Sequence, residues 1–88
     1  MIKFEVGQVY YSVFTGESDL TRDYEVISRT EKMIFLKNMW SGETTKKKIS
    51  TYDGEHEVVC PKQHEYMKPQ YLSKNFFQGV YLDPKVEF

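Results

Sequence analysis

Not one alanine occurs among the 88 residues of this chain. Alanine costs least to place in a helix, whereas Tyr, Phe, Val, Ile and Thr suit a pleated, half-buried surface. Aromatic residues make up 16% of the sequence, so local preference runs toward strands before any pattern is read. A chain of this length folds as one domain with a thin core, which leaves little room for a large internal active site.

Turn signals then cut the chain into short pieces. Gly16, Gly42 and the pair Asp53-Gly54 each mark a reversal. The runs between them read as strands over residues 9–14, 23–29, 33–38, 43–50 and 57–60, with Pro61 closing the last. The expected fold is mainly β: a small five-stranded antiparallel meander closing into an SH3-like or OB-like barrel. Residues 1–72 form this domain. Residues 73–88 form an aromatic tail, irregular or with one helical turn between Pro69 and Phe77 stopped at Gly79; an edge strand over 79–82 is the alternative.

Hairpin register sorts the faces. A four-residue tip over 39–42 pairs Asn38 with Glu43, Leu36 with Thr45, Phe35 with Lys46 and Met33 with Lys48. A two-residue Asp53-Gly54 turn pairs Tyr52 with Glu55, Ser50 with Glu57 and Ile49 with Val58. Side chains alternate along a strand, so Ile34, Leu36, Thr45, Lys47, Ile49, Val58 and Cys60 share one face. Met33, Phe35, Lys37, Thr44, Lys46, Lys48, Glu57 and Val59 share the other. The first is the core side, because the alternative would bury Lys46 and Lys48 without partners. Phe35, Lys37, Lys46 and Lys48, with Trp40 at the hairpin tip, are therefore the candidate partner-binding residues. A protein could anchor on Trp40, or nucleic-acid bases could stack on the rings beside phosphate-neutralising lysines. Equally, Phe76, Phe77 and Tyr81 of the tail could fold back over Met33, Phe35 and Val59.

Charge sharpens the position of that face without making the chain a dedicated nucleic-acid binder. The net charge is −1 overall, but residues 29–48 carry six basic and two acidic groups. Catalytic signals are weak by comparison. His56, Cys60 and His64 have a spacing reminiscent of zinc sites, yet four residues of strand span about 13 Å, more than one tetrahedral ion bridges with bonds of about 2.0–2.3 Å. Cys60 reads as a small core residue at a strand end rather than a nucleophile, and the carboxylates around Asp53 as solvated charge. No phosphate-binding loop or nucleophile motif occurs. No catalytic residue, metal ligand or cofactor is assigned. With one cysteine, no internal disulfide is available, and with neither a signal-like run nor a membrane-spanning run the cytoplasm is the expected location.

The order Phe4-x-Val6-Gly7-x-x-Tyr10, Tyr24-x-Val26-Ile27-x-Arg29-Thr30, Lys48-Ile49, Tyr52-Asp53-Gly54, Val59-x-Pro61 and Tyr66-Met67-x-Pro69 resembles short uncharacterised proteins of phages and conjugative elements of Gram-positive bacteria. The likeness spans residues 3–72 and rests on structural positions. It differs here in lacking a serine between Tyr66 and Met67, in one extra residue after the Asp-Gly turn and in a longer aromatic tail. It implies a mobile-element accessory protein and carries over no functional residues. The expected function is a non-enzymatic binding module, with a protein favoured over nucleic acid. The alternatives are an inhibitor of a host defence nuclease and a small barrel for single-stranded nucleic acid. Homodimerisation through an edge strand or the tail aromatics is also compatible.

Overall fold

Glycine and asparagine at the reversals set the framework of the sheet. The computed structural model describes residues 3–77 and 80–82, the side chains of residues 17–20 and 77 excepted. It is mainly β, with strands β1 (Val9–Phe14), β2 (Glu17–Arg29), β3 (Met33–Asn38), β4 (Thr44–Lys48), β5 (Ser50–Thr51), β6 (Glu57–Val58), β7 (Glu65–Leu72), β8 (Phe76–Phe77) and β9 (Val80–Tyr81). A five-stranded antiparallel sheet runs in the order β4-β3-β2-β1-β7, so the first four strands form the expected meander. Two further pairs, β5–β6 and β8–β9, stand outside it. A single bridge, Val59–Met67, links the end of β6 to β7. No closed barrel is found among the described residues. No described helix is long and apolar enough to cross a membrane.

The β3–β4 hairpin has the register read from the sequence, with Met33 opposite Lys48, Phe35 opposite Lys46 and Leu36 opposite Thr45. Its four-residue tip is locked by Asn38, whose Oδ1 accepts the amides of Trp40 and Ser41 at 2.8 and 3.1 Å. Gly42, at φ +78°, takes the left-handed conformation that closes the turn.

The second hairpin departs from the reading by one residue. Tyr52 N donates to His56 O, Thr51 lies opposite Glu57, and Ser50 lies opposite Val58. The loop is thus three residues long, Asp53-Gly54-Glu55. Asp53 Oδ1 accepts both the Glu55 and His56 amides, at 2.9 and 2.8 Å, which holds the extra residue inside the turn. These amides, with the His56 ring, hold the Asp53 carboxyl below its ordinary range. A one-residue slip exchanges the faces of a strand. Val58 is consequently half-buried and Cys60 exposed, whereas Glu57 and Val59, expected outside, are 3% and 1% exposed.

β7 is a strand that the reading missed. It pairs with β1 on the far side from β2, and Pro69 lies in an excursion where β7 advances five residues against two of β1. Proline cannot donate to a ladder and is tolerated at such an irregularity. The expected helical turn between Pro69 and Phe77 is replaced by the end of β7, a turn at Lys74-Asn75 and the β8–β9 pair. Val80 and Tyr81 form the strand given as the alternative; the side chain of Phe77, Gly79 and residues 83–88 lie outside the described residues.

Phe4, Tyr10, Tyr24, Val26, Ile34, Leu36, Ile49, Val59 and Met67 form the apolar core, with Phe4 and Tyr10 edge to face at 5.0 Å. Three carboxylates are buried beside it, and each ties segments distant in sequence. Glu57 receives Arg29 through two bonds of 2.7 Å and the Phe4 amide at 2.8 Å, while Arg29 Nη1 also donates to Phe4 O. Glu65 accepts from Ser12 Oγ of β1 at 2.8 Å. Asp23 accepts from Asn75 and Tyr81 of the tail, each at 2.8 Å.

Burial alone would raise the Glu57 carboxyl, but the bonds from Arg29 and Phe4 outweigh it and hold the group below its ordinary value. Removing one partner of a buried pair costs about 3–5 kcal/mol, because the other charge stays behind. Arg29→Met should therefore lose about that much in urea unfolding. The depressed native pKa fixes the sign with pH. The stabilisation is complete above the unfolded carboxyl value of about 4.3 and is lost as pH falls through the lower native value. Glu57→Gln should flatten that acid-side decline, and an unchanged profile would contradict the assignment.

Candidate functional site

The outer face of β2–β4 gathers apolar and basic side chains onto rigid strands. Phe35 on β3 is 40% exposed. Lys46, its cross-strand neighbour on β4, places Nζ 5.8 Å from the ring centroid, within cation–π range. Lys48 is exposed opposite Met33, one pair along the same face. Ile27 of β2 points outward by alternation from the buried Val26 and lies beside the Ser28–Phe35 pair, where it is 43% exposed. The bulge between Val26 and Ser28 re-aims Ser28, which joins the same face opposite Phe35. Ile27 was not among the sequence candidates; alternation outward from Val26 is the signal that finds it.

The remaining sequence candidates are placed differently. Lys37 is half-buried and lies opposite Glu25 of β2, so an acidic neighbour accompanies it. Trp40 sits beyond the last hairpin pair and is 48% exposed. Its Nε1 donates to Tyr81 Oη at 3.1 Å, and Tyr81 Oη donates in turn to Asp23 Oδ2. The structure therefore groups Phe35, Lys46 and Lys48, sets Lys37 at their edge, and attaches Trp40 to the tail. Val59 has left the face for the core. The described part of the tail closes over Asp23, and Ser73 N donates to Val9 O of β1. Val9 and Asp23 lie on the same sheet face as Glu25 and Lys37 by register. The tail thus covers the middle of that face and leaves Ile27 and Phe35 exposed.

A second aromatic cluster was missed because it depends on β7. Tyr11 of β1 stacks on Tyr71 at 4.8 Å, with Tyr66 at 6.2 Å from Tyr71. Lys68 Nζ lies 4.3 Å from the Tyr52 centroid, 5.7 Å from Tyr66 and 5.9 Å from Tyr71. Gln70 Nε2 donates to Tyr52 Oη at 3.2 Å. Burial foremost, and then Tyr66, push the Tyr71 phenol up. One lysine thereby pins the loop of the β5–β6 hairpin to β7, which is a structural use of these rings.

Glu65 and Tyr24 make the third polar feature. Both are buried, and neither Glu65 Oε2 nor the Tyr24 hydroxyl meets a partner with good hydrogen-bond geometry. Burial and the nearby Glu65 carboxylate push the Tyr24 phenol far up, so it stays protonated. Among the described residues, no group of three or more His, Cys, Asp or Glu side chains is placed to hold a metal ion. His56 Nδ1 instead lies 2.6 Å from Asp53 Oδ2. No protein-family model, curated protein or solved structure matches this chain.

Tyr81 is the link between Trp40 and the buried Asp23. Tyr81→Phe removes a donor to a buried carboxylate, which costs about 1–3 kcal/mol. The indole band of Trp40 should also shift, since its N–H loses its acceptor. Unfolding monitored by circular dichroism, with the fluorescence spectrum alongside, checks both; an unchanged spectrum would contradict the bond.

Proposed function

We propose that this chain is a non-enzymatic binding module that docks a protein partner on the face formed by Ile27, Phe35, Lys46 and Lys48. The observation that carries the reading is the exposed Phe35, held on a central strand beneath Lys46 while the chain's own tail closes over the neighbouring part of the same face. An aromatic anchor fixed on a strand loses little freedom on binding, and lysines at its rim select a partner with acidic residues around an apolar patch. The buried carboxylates Asp23, Glu57 and Glu65 are engaged in joining strands and tail, which supports a binding rather than a catalytic role.

The finer architecture we infer is a small SH3-like barrel. The chain passes from β4 to β5 at Ile49, pairs with β6, and meets β7 through Val59–Met67, which brings the two edges of the sheet toward each other. The setting we propose is that of an accessory protein of a mobile element, on the likeness given above, working in the cytoplasm. The exposed free thiol of Cys60 is compatible with that reducing compartment.

Affinity capture from a host lysate with the wild type and Phe35→Ala in parallel tests the reading. A protein retained by the wild type should bind the variant at least about thirtyfold more weakly, a loss of about 2 kcal/mol. The fold should meanwhile lose less than the roughly 3–5 kcal/mol of a core Phe→Ala change, since Phe35 is 40% exposed. Equal retention by both would remove this face from the account. Salt-dependent oligonucleotide binding abolished by Lys46→Gln and Lys48→Gln would assign the face to nucleic acid instead.

A further inference from the structure

A groove opens where the β3–β4 hairpin tip meets the turn after Pro61. Its outer part, of about 370 Å³, is lined by Arg22, Asn38, Trp40, Ser41, Glu43 and Lys62. A smaller recess of about 120 Å³ adjoins it, sharing Asn38, Glu43 and Lys62 and ending at Tyr24. The outer part is an open cleft rather than an enclosed cavity, so its lining and not its volume decides what it can bind.

The lining is chemically specific. Two cations, Arg22 and Lys62, stand in the groove, and neither forms an ion pair among the described residues. Arg22 rests on the Phe14 ring, 5.2 Å from its centroid, and its charge also acts on the Tyr24 hydroxyl that lines the adjoining recess. The indole of Trp40 is half exposed, and its N–H bond to Tyr81 fixes the ring. Asn38 spends its Oδ1 on the Trp40 and Ser41 amides, which leaves its amide N–H groups as donors, while the Glu43 carboxylate supplies an acceptor.

We propose that this groove binds a nucleotide unit, with Trp40 stacking the base and Arg22 and Lys62 holding the phosphate. Flat rings of every base stack on an indole, and guanidinium and ammonium groups are the usual phosphate ligands. A purely acidic peptide would leave the indole unused, so the flat and anionic ligand fits better, its phosphate on the Arg22 and Lys62 side and away from Glu43. The site is separate from the Phe35 face and does not rest on the protein-docking reading.

Trp40 is the sole tryptophan, so its fluorescence reports occupancy directly. The probes are uridine 5′-monophosphate and a short oligothymidylate, titrated against the full chain to millimolar concentration. Saturable quenching by the mononucleotide assigns the groove to free nucleotides. Saturation by the oligonucleotide alone assigns it to a single strand. In either case Lys62→Gln, a change at an exposed position, should weaken binding at least about fivefold, as for loss of a charged phosphate contact. Lys46→Gln with Lys48→Gln should leave it unchanged. The inference is overturned if neither probe quenches, if Lys62→Gln binds like the wild type, or if the Lys46 and Lys48 changes carry the loss.

Discussion

Glu57 carries its charge into a position 3% exposed, and the sheet's geometry follows from how that charge is compensated. An isolated carboxylate there would be costly enough to neutralise itself or to force the strand out. Arg29, at the end of β2, meets it with two bonds, and the backbone of Phe4 completes the set from both sides, its amide donating to Glu57 and its carbonyl accepting from Arg29. One clasp thus fixes the N-terminal segment, the end of β2 and the start of β6 together. Burial of Phe4 and Val59 depends on it, because each lies within two residues of a clasp atom.

The other buried carboxylates act by the same principle on other parts of the chain. Glu65 fastens β7 to Ser12 of β1, and Asp23 fastens the tail through Asn75 and Tyr81. Asp23 sits on the outer face of the sheet, so the tail closes there rather than over Phe35. The position of one acid on β2 therefore decides which part of the outer face is covered. Ile27, Phe35, Lys46 and Lys48 are what it leaves open.

The legible and illegible parts of the sequence divide along physical lines. The β3–β4 hairpin was readable because its tip length, its alternation and the cost of burying Lys46 and Lys48 all agreed. The Asp53-Gly54 reversal was also readable, but not its length, since Asp53 adds two side-chain bonds that hold a third residue in the loop. That single residue moved Glu57 and Val59 inward. Solvation logic alone would keep Glu57 outside, and its partner Arg29 lies 28 residues away, beyond any local pattern. β7 was hidden by Pro69, whose missing donor argues against a strand unless an excursion in the ladder is already known. Within the candidate site, Phe35, Lys46 and Lys48 followed from register and Ile27 follows from alternation beside the buried Val26, whereas the position of Trp40 required the tail.

Both surfaces thus depend on where the tail goes. If Asp23 captures Tyr81, the Phe35 face stays open and Trp40 is fixed at the edge of the groove beside Arg22 and Lys62. If the tail lay over Phe35 instead, both surfaces would be different. Nuclear Overhauser contacts in solution test this most directly, using the single indole N–H of Trp40 and the ring protons of Phe35 as reporters. Contacts are expected from the Trp40 indole to the Tyr81 ring and none from Phe35 to Phe76 or Tyr81. Contacts from Phe35 to Phe76 or Tyr81, with none between Trp40 and Tyr81, would contradict this placement of the tail.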